Sequence, residues 1–385
     1  MLSMALRISQ ALSMHLPDPP FRLRPYDREM RRRLFQAIGF LDVQAASLDR
    51  PSEPMMKGSW LEPLIPANVN DVDVRFDSGE PIASRNDEFT DMTFTLLACK
   101  AQYAVRALNF SDFMEPGTKY MHMRQEVVSG FQQAAHQLLR ECRPDASDFH
   151  WYTKKSVECV TASLQLIALR PLQRNINFTP PKIKEPHSLL KLAVNVLLTA
   201  RELDIDPRGR PWRWFDCLFI RWHAMAVALA ELCVCDDPII MTLHFPAVEE
   251  GYTRFTSKVT DAHQRMLWGP MENIMNRAYA KRNELDSNGS NNIAGGAGSS
   301  EVPAVPQTPV EMQWPQQQLR LPPPVSTGQE SDPFATALSP SMSLFCPCNP
   351  NLWDANDFSC LDDTSWANYE SLINDIYGNN EVMFF

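Results

Sequence analysis

The chain has 385 residues, 44% hydrophobic and 21% charged, with a formal net charge of −10. This is the composition of a soluble globular protein with a sizeable core. The charge is local: nine acids and no Lys or Arg lie in Leu321–Phe385, so the rest is close to neutral and offers no basic surface of the kind nucleic-acid binders use.

Taken in chain order, helical periodicities are expected at 2–14, 25–48, 87–108, 117–142, 149–169, 184–202, 212–235 and 255–284. Alternating strand-type runs are scarce, so the fold class is all-α, a large multi-helix domain over residues 1–284. One long irregular stretch, Asp49 to Asn86 with five prolines, reads as an ordered excursion between two helices. The segment REMRRRLFQAIGFLDVQAA (Arg28–Ala46) raises the question of a phosphate site. On a helix starting at Pro25, Met30, Leu34, Ala37, Ile38, Leu41, Ala45 and Leu48 form an i, i+3/i+4 stripe expected to be buried. At about 100° per residue, Arg32 then points away from that stripe and Arg31 and Arg33 flank it. Pairs Asp27–Arg31 and Glu29–Arg33 are expected in the acid-first order that suits helices. The arginines thus belong to a structural helix.

Nothing in the first 284 residues spells catalysis. G-x-G-x-x-G, phosphate-loop, H-E-x-x-H and G-x-S-x-G patterns do not occur, so no catalytic, cofactor or metal residue is assigned and no cofactor is expected. Asn70-Asp71-Val72-Asp73 has alternating carboxylates but lacks the ligand and glycine of a calcium loop, and reads as a polar loop capping the next helix. An all-α isoprenoid-type enzyme fails at its own ligands. Asp362-Asp363 is followed by Thr364, Ser365 and Trp366, and Asn86-Asp87 has Phe94 where an acid is required. Cysteines such as Cys99, Cys159, Cys217 and Cys233 sit in apolar helical runs as small hydrophobes, and the Cys233–Cys235 and Cys346–Cys348 spacings do not suit zinc. No secretory leader is expected at the start. The most apolar run, Cys217–Cys235, carries Arg221, His223 and Glu231, so no membrane span is expected. Its helix is apolar almost all round and should be central, with His223 either a satisfied core group or part of a regulatory pocket.

Residues 285–340 concentrate Pro, Gly, Ser, Asn and Gln and read as a disordered linker. Residues 341–385 are acidic and aromatic. Within DDTSWANYESLINDIYG, the side chains of Trp366, Tyr369, Leu372, Ile373, Ile376 and Tyr377 fall on one arc of a helix, with Asp363 or Thr364 as N-cap and Gly378 as the stop. That arc is a candidate partner-binding face. The alternatives are an inert solvated tail and a helix docked on the chain's own bundle.

EMRRRLFQAIGFLDVQAA, NVNDVDV, FTDMTF, LQLIALRPLQR and FIRWHAMAVALAELC, in this order, resemble the regulatory middle homology region of the fungal-specific transcription factor family. ALRISQALSMHL resembles the helix that precedes the arginine run there. Phe35 stands where the family often has tryptophan, and Gln44 where a basic residue is common. The resemblance spans roughly residues 1–280 and implies a nuclear transcription regulator, an activator of a metabolic gene set. It implies partners among coactivators or other regulators, homo- or hetero-oligomers, and no membrane. The family's six-cysteine zinc cluster has no counterpart among these residues, so DNA contact is expected only indirectly unless a cluster is missing from this chain. The alternative is an interaction or scaffold protein that pairs with full-length relatives.

Overall fold

The computed structural model describes residues 1–48, 54–110, 120–172, 183, 185–218, 221–258, 265–294 and 364–378. Its elements are α1 (Leu2–Ala11), α2 (Pro25–Leu48), α3 (Gly58–Leu61), α4 (Thr93–Asn109), α5 (Met121–Leu138), α6 (Asp148–Leu169), α7 (Ser188–Ile205), α8 (Arg221–Leu232), α9 (Pro238–Lys258), α10 (Arg265–Ala294) and α11 (Thr364–Gly378). Three 3₁₀ turns sit between them, at Glu62–Leu64, Asp71–Asp73 and Pro207–Leu218. The described fold is thus all-helical, as the periodicity predicts.

The main core lies where α6, α7 and α8 pack together, with α4, α5, α9, α10 and α11 around them. α8 is the most enclosed element. Ala224, Ala226, Ala228 and Ala230 let neighbouring helices approach it from every side, and all four are buried. That is the central helix its all-round apolar sequence implies. A smaller core joins α1 and α2 to the irregular excursion through Leu6, Met14, Phe35, Ile38, Met56 and Leu61.

Several boundaries moved, each for a local reason. α4 starts at Thr93 rather than at 87, because the Thr90 amide donates to Thr93 Oγ1 at 2.8 Å and Asn68 Oδ1 accepts from Thr90 Oγ1 at 2.7 Å. The chain before Thr93 is therefore committed to side-chain hydrogen bonds rather than to a helical turn. The expected 212–235 helix is split: Pro211 lies in the 3₁₀ segment Pro207–Leu218, and α8 begins only at Arg221. Proline has no amide to donate, so a continuous α-helix is disfavoured there. Conversely α9 was not anticipated. It starts at Pro238 in the first helical position, with Asp237 Oδ1 accepting from the Ile239 amide at 2.8 Å, and it runs through Pro246. α10 continues to Ala294, ten residues beyond the expected edge of the helical domain.

The rotation of α2 about its axis corrects the sequence reading. Leu34 and Leu41 are 55% and 51% exposed, whereas Phe35, Gln36, Ile38, Asp42 and Val43 are buried. Apolar residues at 34, 35, 37, 38, 40, 41 and 43 support two overlapping stripes, and the excursion 54–67 selects the second. Asp42 receives the Met55 and Met56 amides at 2.9 Å each and pairs with Arg106 Nη2 at 3.1 Å. Arg106 also donates to the carbonyls of Gly39 and Met56 at 2.7 and 2.8 Å. Gln36 donates to Leu61 O at 2.7 Å and accepts from Gln102 at the same distance. Gly39 sits where a Cβ would meet Leu61 at 2.7 Å, which permits this close approach.

The arginines of α2 are structural, though not all as expected. Arg33 pairs with Glu29 at 3.0 Å and with Asp71 at 2.7 Å. Asp27 takes Arg24 instead of Arg31, and Arg31 donates to the Leu12 carbonyl and lies over Phe21. Arg32 does not point straight outward; it is half-buried. The NVNDVDV loop braces the segment that leads into α4 and does not cap the helix, whose first turn has no side-chain cap. Asn68 donates to the Arg85 and Glu88 carbonyls at 2.7 and 2.9 Å, and Asp91 Oδ2 accepts from the Asp71 amide at 3.0 Å.

Candidate functional site

The residues singled out in the C-terminal segment converge on one place, the seat of α11 on α8 and α10. Tyr369, Leu372 and Ile373 are buried to 1%, 3% and 2% exposure in the main core, and Trp366 is half-buried beside them. Their spacing puts these side chains on one face of the helix, while Ala367, Ser371, Asn374 and Asp375 face outward. Ile376 and Tyr377 belong to the same helix, but their side chains lie outside the described set, as do Asp363 and the rest of the 295–363 stretch.

The floor of the seat comes from the LQLIALRPLQR and FIRWHAMAVALAELC segments. Tyr369 Oη donates to the Pro171 carbonyl at 2.6 Å. The His223 ring meets the Tyr369 ring edge-on at 5.9 Å, and His223 Nε2 is 2.6 Å from the Arg170 carbonyl. The Arg170 guanidinium lies 5.3 Å from the centre of the Trp366 ring, a cation–π arrangement. On the α10 side Arg277 donates to the Asn368 amide oxygen. So α11 is held by three apolar side chains and by polar contacts to α10 and to the chain just after α6.

The same carbonyl-rich corner has a further clasp that the sequence reading missed. Arg124 of α5 is fully buried and donates to the carbonyls of Leu108, Ile167 and Ala168 at 2.6–2.7 Å. It thereby satisfies the ends of α4 and α6 at once. Burial pulls its pKa down to about 9. The only sequence signal for Arg124 and Arg106 is an arginine inside a run that otherwise reads as a buried face.

Burial pushes the pKa of His223 down to about 4, opposed by its bond to the Arg170 carbonyl, so the ring is neutral and serves packing. Burial likewise raises the thiols of Cys99, Cys142 and Cys233, to about 12, 11 and 11, so these cysteines behave as small hydrophobes. Among the described residues no group of His, Cys, Asp or Glu is arranged to hold a metal ion, and no helix is long and apolar enough to cross a membrane.

Fold and seat together define an all-helical domain that carries its own C-terminal helix as a packed element. The chain is homologous to fungal proteins named as C6 finger domain transcription factors. It is 31% identical to nscR of Aspergillus fumigatus over 74% of this chain and 37% of that protein. To adaR of Aspergillus niger it is 30% identical, over 73% of this chain and 38% of that protein. With nscR of Arthroderma gypseum the similarity, 28% identity, reaches 97% of this chain and 55% of the relative. The chain thus spans between about two fifths and just over half the length of these relatives. No protein family model matches the chain, and no solved structure matches it. The relatives support a place among fungal transcription regulators.

Proposed function

We infer that this chain is a nuclear transcription regulator, not an enzyme, with residues 1–284, extended by the end of α10 to Ala294, as its regulatory domain, a linker from there to 340 and 341–385 as its activation segment. The reading is supported by homology to C6 finger transcription factors across the helical domain. The observation that carries the role of the tail is that its aromatic arc is the part buried against the bundle. A face that fits an apolar seat in cis has the anchors needed to fit a coactivator groove in trans, and the two uses exclude each other. Trp366, Tyr369, Leu372, Ile373, Ile376 and Tyr377 are the proposed partner-binding residues. DNA contact runs through a partner regulator, as homo- or hetero-oligomer, or through a zinc cluster outside this sequence. The genes controlled are a metabolic set.

The test fuses either residues 341–385 or the whole chain to an unrelated DNA-binding domain in a fungal reporter strain. The short fusion should activate and the long one activate less. Arg277→Ala, outside the short fusion, removes the α10 contact to Asn368, so it should raise the activity of the long fusion. Silence of the wild-type short fusion removes the activation reading and favours a scaffold that pairs with other regulators.

A further inference from the structure

α2 has a second apolar face, and it is left exposed. Met30, Leu34, Ala37, Leu41 and Ala45 recur at helical spacing along one side of it. Leu34, Ala37, Leu41 and Ala45 are exposed and Met30 is half-buried. No charged residue stands on this arc, which is about 22 Å long at 1.5 Å per residue. The outer face of a surface helix ordinarily carries charged and polar side chains, so an uncharged apolar one marks a contact surface. Trp214 extends it. This side chain is 71% exposed. Its ring meets Phe215 edge-on at 5.6 Å, and Phe215 lies 5.4 Å from Phe40 of α2. An exposed tryptophan beside an apolar stripe is the residue type that most often anchors an interface.

The stripe is complementary to itself. Large and small residues alternate along it, in the order Leu34, Ala37, Leu41, Ala45. About a two-fold axis near Gly39, Leu34 of one copy falls opposite Ala45 of a second copy, and Leu41 opposite Ala37, each pair occurring twice. A large side chain thus meets a small one at every level, and each fills the hole that the other leaves. Charge favours the same direction. Arg28, Arg31, Arg32 and Arg33 all lie in the first half of α2, and Leu34–Leu48 contains no Lys or Arg. Parallel packing would bring the arginines of two copies together. Antiparallel packing sets them beside the carbonyl end of the other helix, where cations are favoured.

We propose that the outer face of α2 is a self-association surface, on which a second copy of this chain packs its own α2 antiparallel about a two-fold axis near Gly39. A helix face of this length with one tryptophan at its edge is smaller than the roughly 800 Å² per partner of a standard interface, so the dimer is reversible, with a dissociation constant on the order of micromolar. The surface specifies the homo-oligomer of the proposed function and rests on that reading for its use in reaching DNA.

The test is sedimentation velocity of the full chain under reducing conditions over roughly 1–200 µM, a range that brackets such a constant. The wild type should shift from monomer to dimer with concentration. Leu41→Asp should raise the dissociation constant about tenfold or more, because contacts are lost at two symmetric places. Circular dichroism checks that it is folded, and Ala45→Glu serves as the second variant if it is not. Trp214→Ala should weaken the dimer as well. Ala37→Arg alone should be monomeric, yet mixing it with Leu41→Asp should restore dimers. In that mixture the new carboxylate faces the new guanidinium, and the other pair stays Leu41 against Ala37. A wild type that is monomeric throughout, a dimer unchanged in a folded Leu41→Asp or Ala45→Glu chain, or a mixture that fails to pair would overturn the proposal. A monomeric wild type overturns it whether or not the reporter fusions are active, so its failure is read apart from that of the transcription reading.

Discussion

Tyr369 of α11 and Pro171, two residues beyond α6, are joined by a 2.6 Å hydrogen bond across 198 residues of sequence. This contact makes the acidic–aromatic tail part of the core. Tyr369→Phe should cost about 1 kcal/mol, the usual net worth of such a bond, whereas Leu372→Ala or Ile373→Ala should each cost about 2–5 kcal/mol of α11 docking. Limited proteolysis should show α11 cut first in the alanine variants, with α6–α8 still protected. Equal protection of α11 in all three would mean it does not depend on this seat.

His223 predicts a pH dependence. Its pKa is near 4 in the folded protein against an ordinary 6.5, so between those values the unfolded chain binds more protons. Stability from this group is therefore complete above pH 6.5 and is lost as pH falls toward 4. The effect is on the order of 3 kcal/mol. Urea unfolding from pH 7 to pH 4 should show a steeper loss for the wild type than for His223→Gln, and parallel curves would refute it.

The Asp42–Arg106 pair is buried at both ends. Asp42→Ala leaves the guanidinium and two amides of Met55 and Met56 without their acceptor, so it should cost about 3–5 kcal/mol. Arg106→Met with Asp42→Leu should recover part of that loss, because removing both charges removes the uncompensated one. Thermal melts of the wild type and the two variants measure it, and a double variant no more stable than Asp42→Ala would refute it.

The phase of α2 is open to a direct test. Phe35→Ala should destabilise by about 3–5 kcal/mol, whereas Leu34→Asp and Leu41→Asp should stay within about 0.5 kcal/mol, as surface changes do. Collapse on Leu41→Asp with tolerance of Phe35→Ala would restore the stripe that the sequence suggests on its own.

For DNA, the near-neutral body predicts that the purified chain alone gives no sequence-dependent shift of duplex DNA at roughly 0.15 M salt. A reproducible specific shift would place a DNA-reading surface among these residues.

The all-helical class, both ends of α2, nearly all of α6 and the arc shared by Trp366, Tyr369, Leu372 and Ile373 were legible in the sequence alone. Each rests on local rules: caps, prolines and a 3.6-residue period act within a few positions of the residue concerned. Even the resemblance rests on segments that prove structural, since Glu29, Gln36, Asn68 and Arg170 are all buried. What periodicity could not settle was decided by partners distant in sequence. Asp42 and Gln36 turn inward because Met55, Leu61, Gln102 and Arg106 meet them there. Arg124 is fully buried because two helix ends present carbonyls to it. The tail is a case of both: its apolar face is written in its own spacing, but the choice of the chain's own bundle as its seat follows from Pro171, His223 and Arg277 lying where that face can reach them. Burial of one helix face is a local property, and the surface that covers it is a property of the whole fold.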